Sequence, residues 1–325
     1  MLEFWPSGGQ CLHSRIIELK IAKPPFVCYN SSTKGGFFVN LCNIDEIKAL
    51  LQRHGFRFSK SKGQNFLTAA WVPQQICTSS EIDTHCGVLE IGPGIGPLTD
   101  QLCRHAAKVV SVEVDTSLRP VLAETMAEHD NLELIFGDIL KTDIPALVQS
   151  RFEGLRPMAC ANLPYYITSP ILAALLECRV FSSVTVMVQK EVAERICAKA
   201  GTADYSAFTV FCNYYAEPEI LFLVPPDCFI PQPKVTSAVI RLKARTAPPC
   251  EILDEGLFFR VVRASFAQRR KTLVNGLNAA FPSYSKQFFS QLLTDCGFSP
   301  SIRGERLDLS GFAAIANALA RQNGG

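Results

Sequence analysis

An α/β fold, a doubly wound parallel sheet followed by a smaller helical domain, is what this sequence predicts. Short apolar runs alternate with helix-like segments from Val88 to Arg195. A glycine-rich turn, Gly92-Pro93-Gly94-Ile95-Gly96, joins the first of those runs to a helix start at Pro97. Beyond Thr246-Ala247-Pro248-Pro249, which reads as a linker, the pattern is helical only.

Taken in order, Asn43 to His54 reads as an amphipathic helix. Ile44, Ile47, Leu50 and Leu51 share a face, Asn43 caps the start and Gly55 the end. A second helix is expected from about Thr68 to Ser79. Strands are expected at Val88–Ile91, Lys108–Val114, Leu132–Phe136, Met158–Ala161 and Ser183–Gln189. Helices follow at Pro97–Arg104, Leu118–Glu128 and Pro170–Leu176, with another through Arg195. Phe208–Tyr215, Ala216–Val224 and Ser237–Lys243 are expected to complete the sheet as strands with antiparallel pairing. The C-terminal helices are expected at Gly256–Phe266, Thr272–Ala280, Ser285–Asp295 and Leu309–Arg321. The domains are therefore 41–246 for the sheet and 247–325 for the helical part. Residues 1–40 lack a helix or strand period and are expected to be a disordered extension or an over-extended start.

Composition excludes more than it selects. A hydrophobic fraction of 48% supplies a core, while a net charge of +2 leaves any nucleic-acid surface to local clusters. Thirteen scattered cysteines form no C-x-x-C pair and have no histidine at zinc-ligand spacing, so they read as reduced thiols in a cytoplasmic protein without a metal. No apolar run reaches the length needed to span a bilayer.

Chemistry is carried by two segments. The run Glu90-x-Gly92-x-Gly94-x-Gly96 follows a strand and opens a helix, where glycines let the backbone approach a bound nucleoside. Its G-x-G-x-G spacing differs from the dinucleotide G-x-G-x-x-G. Glu113 ends the next strand about 20 residues on, where a carboxylate can hold both ribose hydroxyls. Asp138 follows the third strand and is placed to accept from an adenine amine. The second segment, Ala161-Asn162-Leu163-Pro164-Tyr165-Tyr166, follows an apolar strand. The Asn162 side-chain oxygen and the Leu163 or Pro164 carbonyl can accept both hydrogens of an exocyclic base amine, and Tyr165 offers a stacking face. Such an amine is a weak nucleophile because its lone pair is delocalised into the ring. Acceptors on its hydrogens localise that pair, and the remaining task is an in-line approach at roughly 3 to 3.5 Å. Phe229, in the Pro-rich loop from Val224 to Val235, is a candidate for the opposite wall of a base clamp. Together these segments point to a Rossmann-like class I methyltransferase sheet that takes S-adenosylmethionine and acts on the amino group of a nucleic-acid base.

Two basic clusters suit phosphate contacts. One holds Arg53, Arg57, Lys60 and Lys62; the other holds Arg260, Arg263, Arg269, Arg270 and Lys271.

With these residues in view, the chain from about Asn40 onward resembles the KsgA-type ribosomal RNA adenine dimethyltransferases. The resemblance rests on Gly63-Gln64-Asn65-Phe66-Leu67, Glu90 to Gly96, Val112-Glu113-Val114-Asp115, Gly137-Asp138, Asn162-Leu163-Pro164-Tyr165, Gln189-Lys190-Glu191-Val192 and Pro231-x-Pro233-Lys234-Val235-x-Ser237-Ala238-Val239. It implies that Asn65, Leu67, Gly92, Glu113, Asp138 and Asn162 bind S-adenosylmethionine. It also implies dimethylation of two adjacent adenosines in the 3′-terminal hairpin of 16S rRNA, in the 30S subunit or its precursor, and a part in late subunit assembly. Erm-type enzymes, which methylate large-subunit rRNA, are the alternative. Phe266 to Leu273 and Arg303-Gly304-Glu305-Arg306-Leu307 favour the KsgA type. A third reading is a binding checkpoint on immature subunits with methylation secondary. A monomer is expected, since no coiled-coil stripe is present.

Overall fold

A computed structural model describes residues 39–56 and 65–323. The expected N-terminal extension and the basic residues Arg57, Lys60 and Lys62 lie outside the described residues, apart from positions 39 and 40.

Seven strands form one sheet: β2 (Cys86–Ile91), β3 (Lys108–Glu113), β4 (Leu132–Phe136), β5 (Arg156–Asn162), β6 (Ser183–Gln189), β7 (Ala216–Val224) and β9 (Ser237–Ala244). Their order is β4-β3-β2-β5-β6-β9-β7. The first five are parallel, and β9 enters antiparallel between β6 and β7. A separate two-stranded ribbon pairs β1 (Phe66–Leu67) with β8 (Phe229–Ile230). Parallel strands need crossovers, and the helices α3 (Pro97–His105), α4 (Arg119–Thr125), α5 (Ile144–Arg151) and α6 (Thr168–Glu177) supply them, with α7 (Lys190–Ile196) following β6. Two further helices precede the sheet: α1 (Ile44–Arg53), capped by the Asn43 side chain as expected, and α2 (Trp71–Ser79). The α2 start falls later than Thr68, which instead continues the ribbon, its N–H donating to the Cys228 carbonyl at 2.8 Å.

Both sheet faces are covered. Leu89, Ile91, Val110, Val112, Leu172, Val186 and Ile240 lie in one core, and Val88, Leu98, Leu102, Val109, Met187 and Val239 in the other. Burial on both faces runs the length of β2 and through Ser183–Val188 of β6, so even Glu90, Ser183 and Thr185 are buried there.

Two segments depart from the expectation. Ala207–Tyr215 is a helix, α8, not a strand. Ser206 and Thr209 form a reciprocal capping box, with the Thr209 N–H on Ser206 Oγ at 3.3 Å and the Ser206 N–H on Thr209 Oγ1 at 3.0 Å. Its aromatic residues resemble strand composition only because the helix is apolar on two faces. Phe208, Phe211 and Cys212 face the sheet core, while Val210 and Tyr214 face the C-terminal helices. The helix α5 was not expected at all, although Asp143 caps it and Pro145 sits in its first turn.

The C-terminal helices α9 (Glu255–Ala267), α10 (Leu273–Ala280), α11 (Lys286–Asp295) and α12 (Leu309–Asn323) share a core with Tyr205, Val210 and Tyr214. Glu255 ties the first of them to the sheet part. Its carboxylate accepts from Arg179 at 2.7 Å, Tyr214 at 3.0 Å and Tyr215 at 2.7 Å.

Close approach to α9 depends on two glycines. A Cβ on Gly276 would meet the Ala264 carbonyl at 2.5 Å, and one on Gly304 would meet the Ser265 carbonyl at 2.6 Å. Gly276→Ala and Gly304→Ala are each expected to cost about 1–3 kcal/mol. Urea titration should show a lower midpoint with an unchanged m-value.

Candidate active site

The strand order reverses between β2 and β5: from β2 the chain moves outward to β3 and β4, then returns to β5 and continues the other way. In an open α/β sheet this leaves a crevice at the carboxyl ends of the strands. A cavity of about 300 Å³ lies there. It gathers Asn65, Leu67, Gly92, Gly94, Glu113, Asp138 and Asn162 together with Leu163, Pro164 and Tyr165. Ten of the sequence-predicted residues thus share one wall system although they run from Asn65 to Tyr165 in sequence.

The glycine loop has the backbone that its residues suggest. Gly94 has φ +61° and Gly96 φ +102°, a region that L side chains rarely adopt. A Cβ at Gly96 would also lie 2.5 Å from the Met126 methyl. Glu113 is only 5% exposed. One carboxylate oxygen accepts the Gly94 N–H at 3.3 Å and the other the Asp115 N–H at 2.7 Å. Burial pushes its pKa up, and these backbone amides pull it back. Each oxygen keeps a further acceptor site for a ligand hydroxyl. Asp138 caps a short 3₁₀ turn, accepting the Leu140 N–H at 3.0 Å, and its other oxygen lies 3.7 Å from Lys141 Nζ.

Asn162 ends β5, opposite Met187. Its side-chain N–H donates to the Asn65 carbonyl at 3.4 Å. That orientation makes Oδ1 the acceptor toward the cavity. Of the two candidate carbonyls, that of Pro164 already accepts the Ile167 N–H at 3.2 Å and the Thr168 hydroxyl at 3.1 Å. The ladder to β6 ends at Asn162, so the Leu163 carbonyl lies outside it. Leu163 is therefore the better second acceptor. Tyr165 is anchored by a 2.7 Å hydrogen bond between its hydroxyl and Ser237 Oγ at the start of β9. Ser237 lies in one of the motifs that carry the family resemblance, but the sequence assigns it no role, because only the antiparallel insertion of β9 brings it to Tyr165.

Phe229 is not in the cavity lining. It is 3% exposed, packs in the core and pairs with Leu67 across the ribbon. Its contribution is to seat β1, and with it the Asn65 carbonyl that orients Asn162. Among the basic residues, Arg263, Arg270 and Lys271 are exposed. Arg269 is engaged within the chain, donating to the Ala203 carbonyl at 2.8 Å with its guanidinium 3.8 Å from Glu305. Arg260 likewise donates to the Ala280 carbonyl at 2.6 Å and lies over the Phe281 ring.

Comparison with known proteins shows which family the chain belongs to. The profile of the ribosomal RNA adenine dimethylase family matches residues 55–296. A ribosomal RNA small subunit methyltransferase A from Geobacillus kaustophilus is 47% identical over 277 residues, covering 84% of this chain and 94% of its own. The protein of that name from Bacillus mycoides is 47% identical over 285 residues, covering 86% and 97%. Among solved structures, a dimethyladenosine transferase from Plasmodium falciparum superposes with a TM-score of 0.69 at 25% identity, covering 79% of this chain and 98% of its own. The 23S rRNA methyltransferase ErmE superposes with a TM-score of 0.60 at 26% identity, covering 78% and 99%.

Beneath the glycine loop, Glu90 is 1% exposed and joins α3 to β3. Its Oε2 accepts from Thr99 at 2.8 Å and Ser111 at 2.5 Å, while Oε1 has no partner among the described residues. Burial raises its pKa from 4.5 to about 7, against the two hydroxyls. The native state thus keeps a proton that the unfolded chain releases, so this contribution to stability is full below the unfolded value. It is lost as pH rises through the native value. Glu90→Gln cannot ionise. Its urea midpoints from about pH 5 to about pH 8 are expected to lack that decline, which amounts to at most about 1.4 kcal/mol per pH unit.

Proposed function

The chain belongs to the ribosomal RNA adenine dimethylase family, and on that premise we propose how its cavity carries out the reaction. It is an adenine dimethyltransferase of ribosomal RNA, and its substrate is 16S rRNA in the 30S subunit or its precursor. The observation that carries the mechanism is the Asn162 amide N–H held on the Asn65 carbonyl, which leaves Oδ1 to accept in the cavity that Glu113 and Tyr165 also line.

S-adenosylmethionine is the methyl donor, and its sulfonium makes the methyl group electrophilic. The residues present fit it. Glu113 offers a buried acceptor pair for ribose hydroxyls, and Asp138 an acceptor for the adenine amine. Gly92 and Gly94 let the backbone come close, while Asn65 and Leu67 close the ribbon side. The cavity volume falls at the lower end of the range for small-molecule sites.

The target adenine enters against Tyr165, whose ring is fixed by Ser237. Asn162 Oδ1 and the Leu163 carbonyl accept its two amine hydrogens. This favours the pyramidal amine and turns its lone pair toward the donor. No side chain is needed to remove a proton before transfer, since the methylated amine is acidic and releases its proton to solvent. Most of the rate is therefore positioning. The same acceptors hold the monomethylated amine through its remaining hydrogen for a second transfer.

Among the described residues of the proposed phosphate surface, Arg263, Arg270 and Lys271 are exposed and available. The protein acts as a cytoplasmic monomer, and its described cysteines are all free thiols that suit a reducing compartment. No described helix is long and apolar enough to cross a membrane. The 47% identity to small-subunit enzymes, against 26% to ErmE, favours the small subunit over the large.

Small subunits from a strain lacking this modification, treated with the protein and S-adenosylmethionine, are expected to yield N6,N6-dimethyladenosine in the 3′-terminal rRNA fragment by mass spectrometry. Dimethyladenosine in large-subunit rRNA instead would overturn the assignment. Asn162→Ala is expected to lower kcat at least about 10²-fold. If that variant still restores subunit assembly, the assembly role is separable from catalysis. Replacing Arg263, Arg270 and Lys271 by Gln is expected to weaken subunit binding. In a salt titration it should flatten the slope of log K against log salt by about 0.7–0.9 for each phosphate that is no longer neutralised.

A further inference from the structure

Tyr166 is left unused by the mechanism, and its setting is unusual for a large side chain. Scattered exposed hydrophobics are ordinary. This one is 55% exposed while also lining the cavity that holds Asn162 and Tyr165. The short 3₁₀ turn Tyr165–Ile167 explains the split between the two tyrosines. At three residues per turn, consecutive side chains leave the axis about 120° apart. Tyr165 turns toward β9, where Ser237 takes its hydroxyl. Ile167 turns toward the sheet core. Tyr166 takes the remaining direction, onto the rim. Among the described residues its hydroxyl makes no hydrogen bond, so nothing polar in the fold accounts for its placement. Val114, 60% exposed, is another apolar residue on the lining of the same cavity.

We propose that Tyr166 is a stacking ledge for the nucleotide adjoining the target adenosine. The inference rests on reading the cavity as an rRNA adenine methylation site. Single-stranded RNA is held largely by stacking of splayed bases on exposed aromatic rings, and the ring accepts any base because every base has a π-face. A base drawn in against Tyr165 brings its neighbour in the strand to the rim, since one phosphodiester links them. Tyr166 is the aromatic residue of the lining exposed at that point. With two adjacent adenosines as targets, the base on the ledge is the other target in one register and the flanking nucleotide in the other. The ring then serves both transfers without reading sequence.

The test compares the wild type with Tyr166→Phe, Tyr166→Leu and Tyr166→Ala on unmodified small subunits, following KM and kcat. Affinity for S-adenosylhomocysteine is measured in parallel by calorimetry. The Leu and Ala variants are expected to raise KM for the subunit roughly ten-fold, the loss of one stacked base. Their kcat should move far less, and their S-adenosylhomocysteine affinity should stay at the wild-type value. Tyr166→Phe should behave as wild type. Leu matching the wild type would overturn the proposal, because it keeps an apolar side chain while removing the aromatic face, the hydroxyl being controlled by the Phe variant. A parallel loss of S-adenosylhomocysteine affinity would overturn it too, making the ring a wall of the donor site. Failure of the wild type to form dimethyladenosine would instead remove the underlying reading, and it would be seen before any variant is compared.

Discussion

Reversal of strand order between β2 and β5 is the constraint on which the site depends. Neighbouring parallel strands whose connections leave in opposite directions cannot have helices packed over their shared carboxyl end. The crevice is therefore a product of chain routing, and any residue at the end of β2, β3 or β5 is delivered to it. Gly92, Glu113 and Asn162 are such residues, one from each strand. Their separation in sequence is only the length of the crossovers between them.

On this frame the site is oriented mostly by backbone groups. The Glu113 carboxylate is held by the Gly94 and Asp115 amides, and the Asn162 amide by the Asn65 carbonyl. Such partners cannot swing to other rotamers, so they keep the acceptors aimed without a conformational cost at each turnover. Preorganised acceptors of this kind suit a reaction in which alignment matters more than acid or base strength. The side-chain anchors lie one layer out. Ser237 fixes Tyr165, and Phe229 seats the ribbon that carries Asn65. Glu90, with Thr99 and Ser111, fastens the helix that the glycine loop opens.

The C-terminal helices are joined to the sheet by α8, which is apolar toward both. Phe211 lies against the sheet core and Tyr214 against α9. With Glu255 receiving Arg179, Tyr214 and Tyr215, the junction is both apolar and polar. Exposed Arg263 and Arg270 are thereby carried on a helix, or at its end, that is packed against the part of the chain bearing the cavity.

The glycine-loop and Asn162-Leu163-Pro164-Tyr165 motifs were legible in the sequence because each is local. A glycine at positive φ, a carboxylate at a strand end and an asparagine before a proline turn all announce a backbone geometry within a few residues. Strands buried on two faces and helices with clear caps were legible for the same reason. What tertiary structure decided was everything that depends on which surface a side chain meets. Ala207–Tyr215 has strand-like composition but becomes a helix, because two cores bury its opposite faces and a capping box starts it. Phe229 became core rather than clamp once β8 paired with β1, and Arg269 became a tie to Ala203 and Glu305 rather than a free cation. The Pro164 carbonyl is occupied by Ile167 and Thr168, which only the folded turn reveals. Local sequence determines backbone conformation through short-range sterics and capping, whereas the partner of a side chain is determined only when distant segments pack.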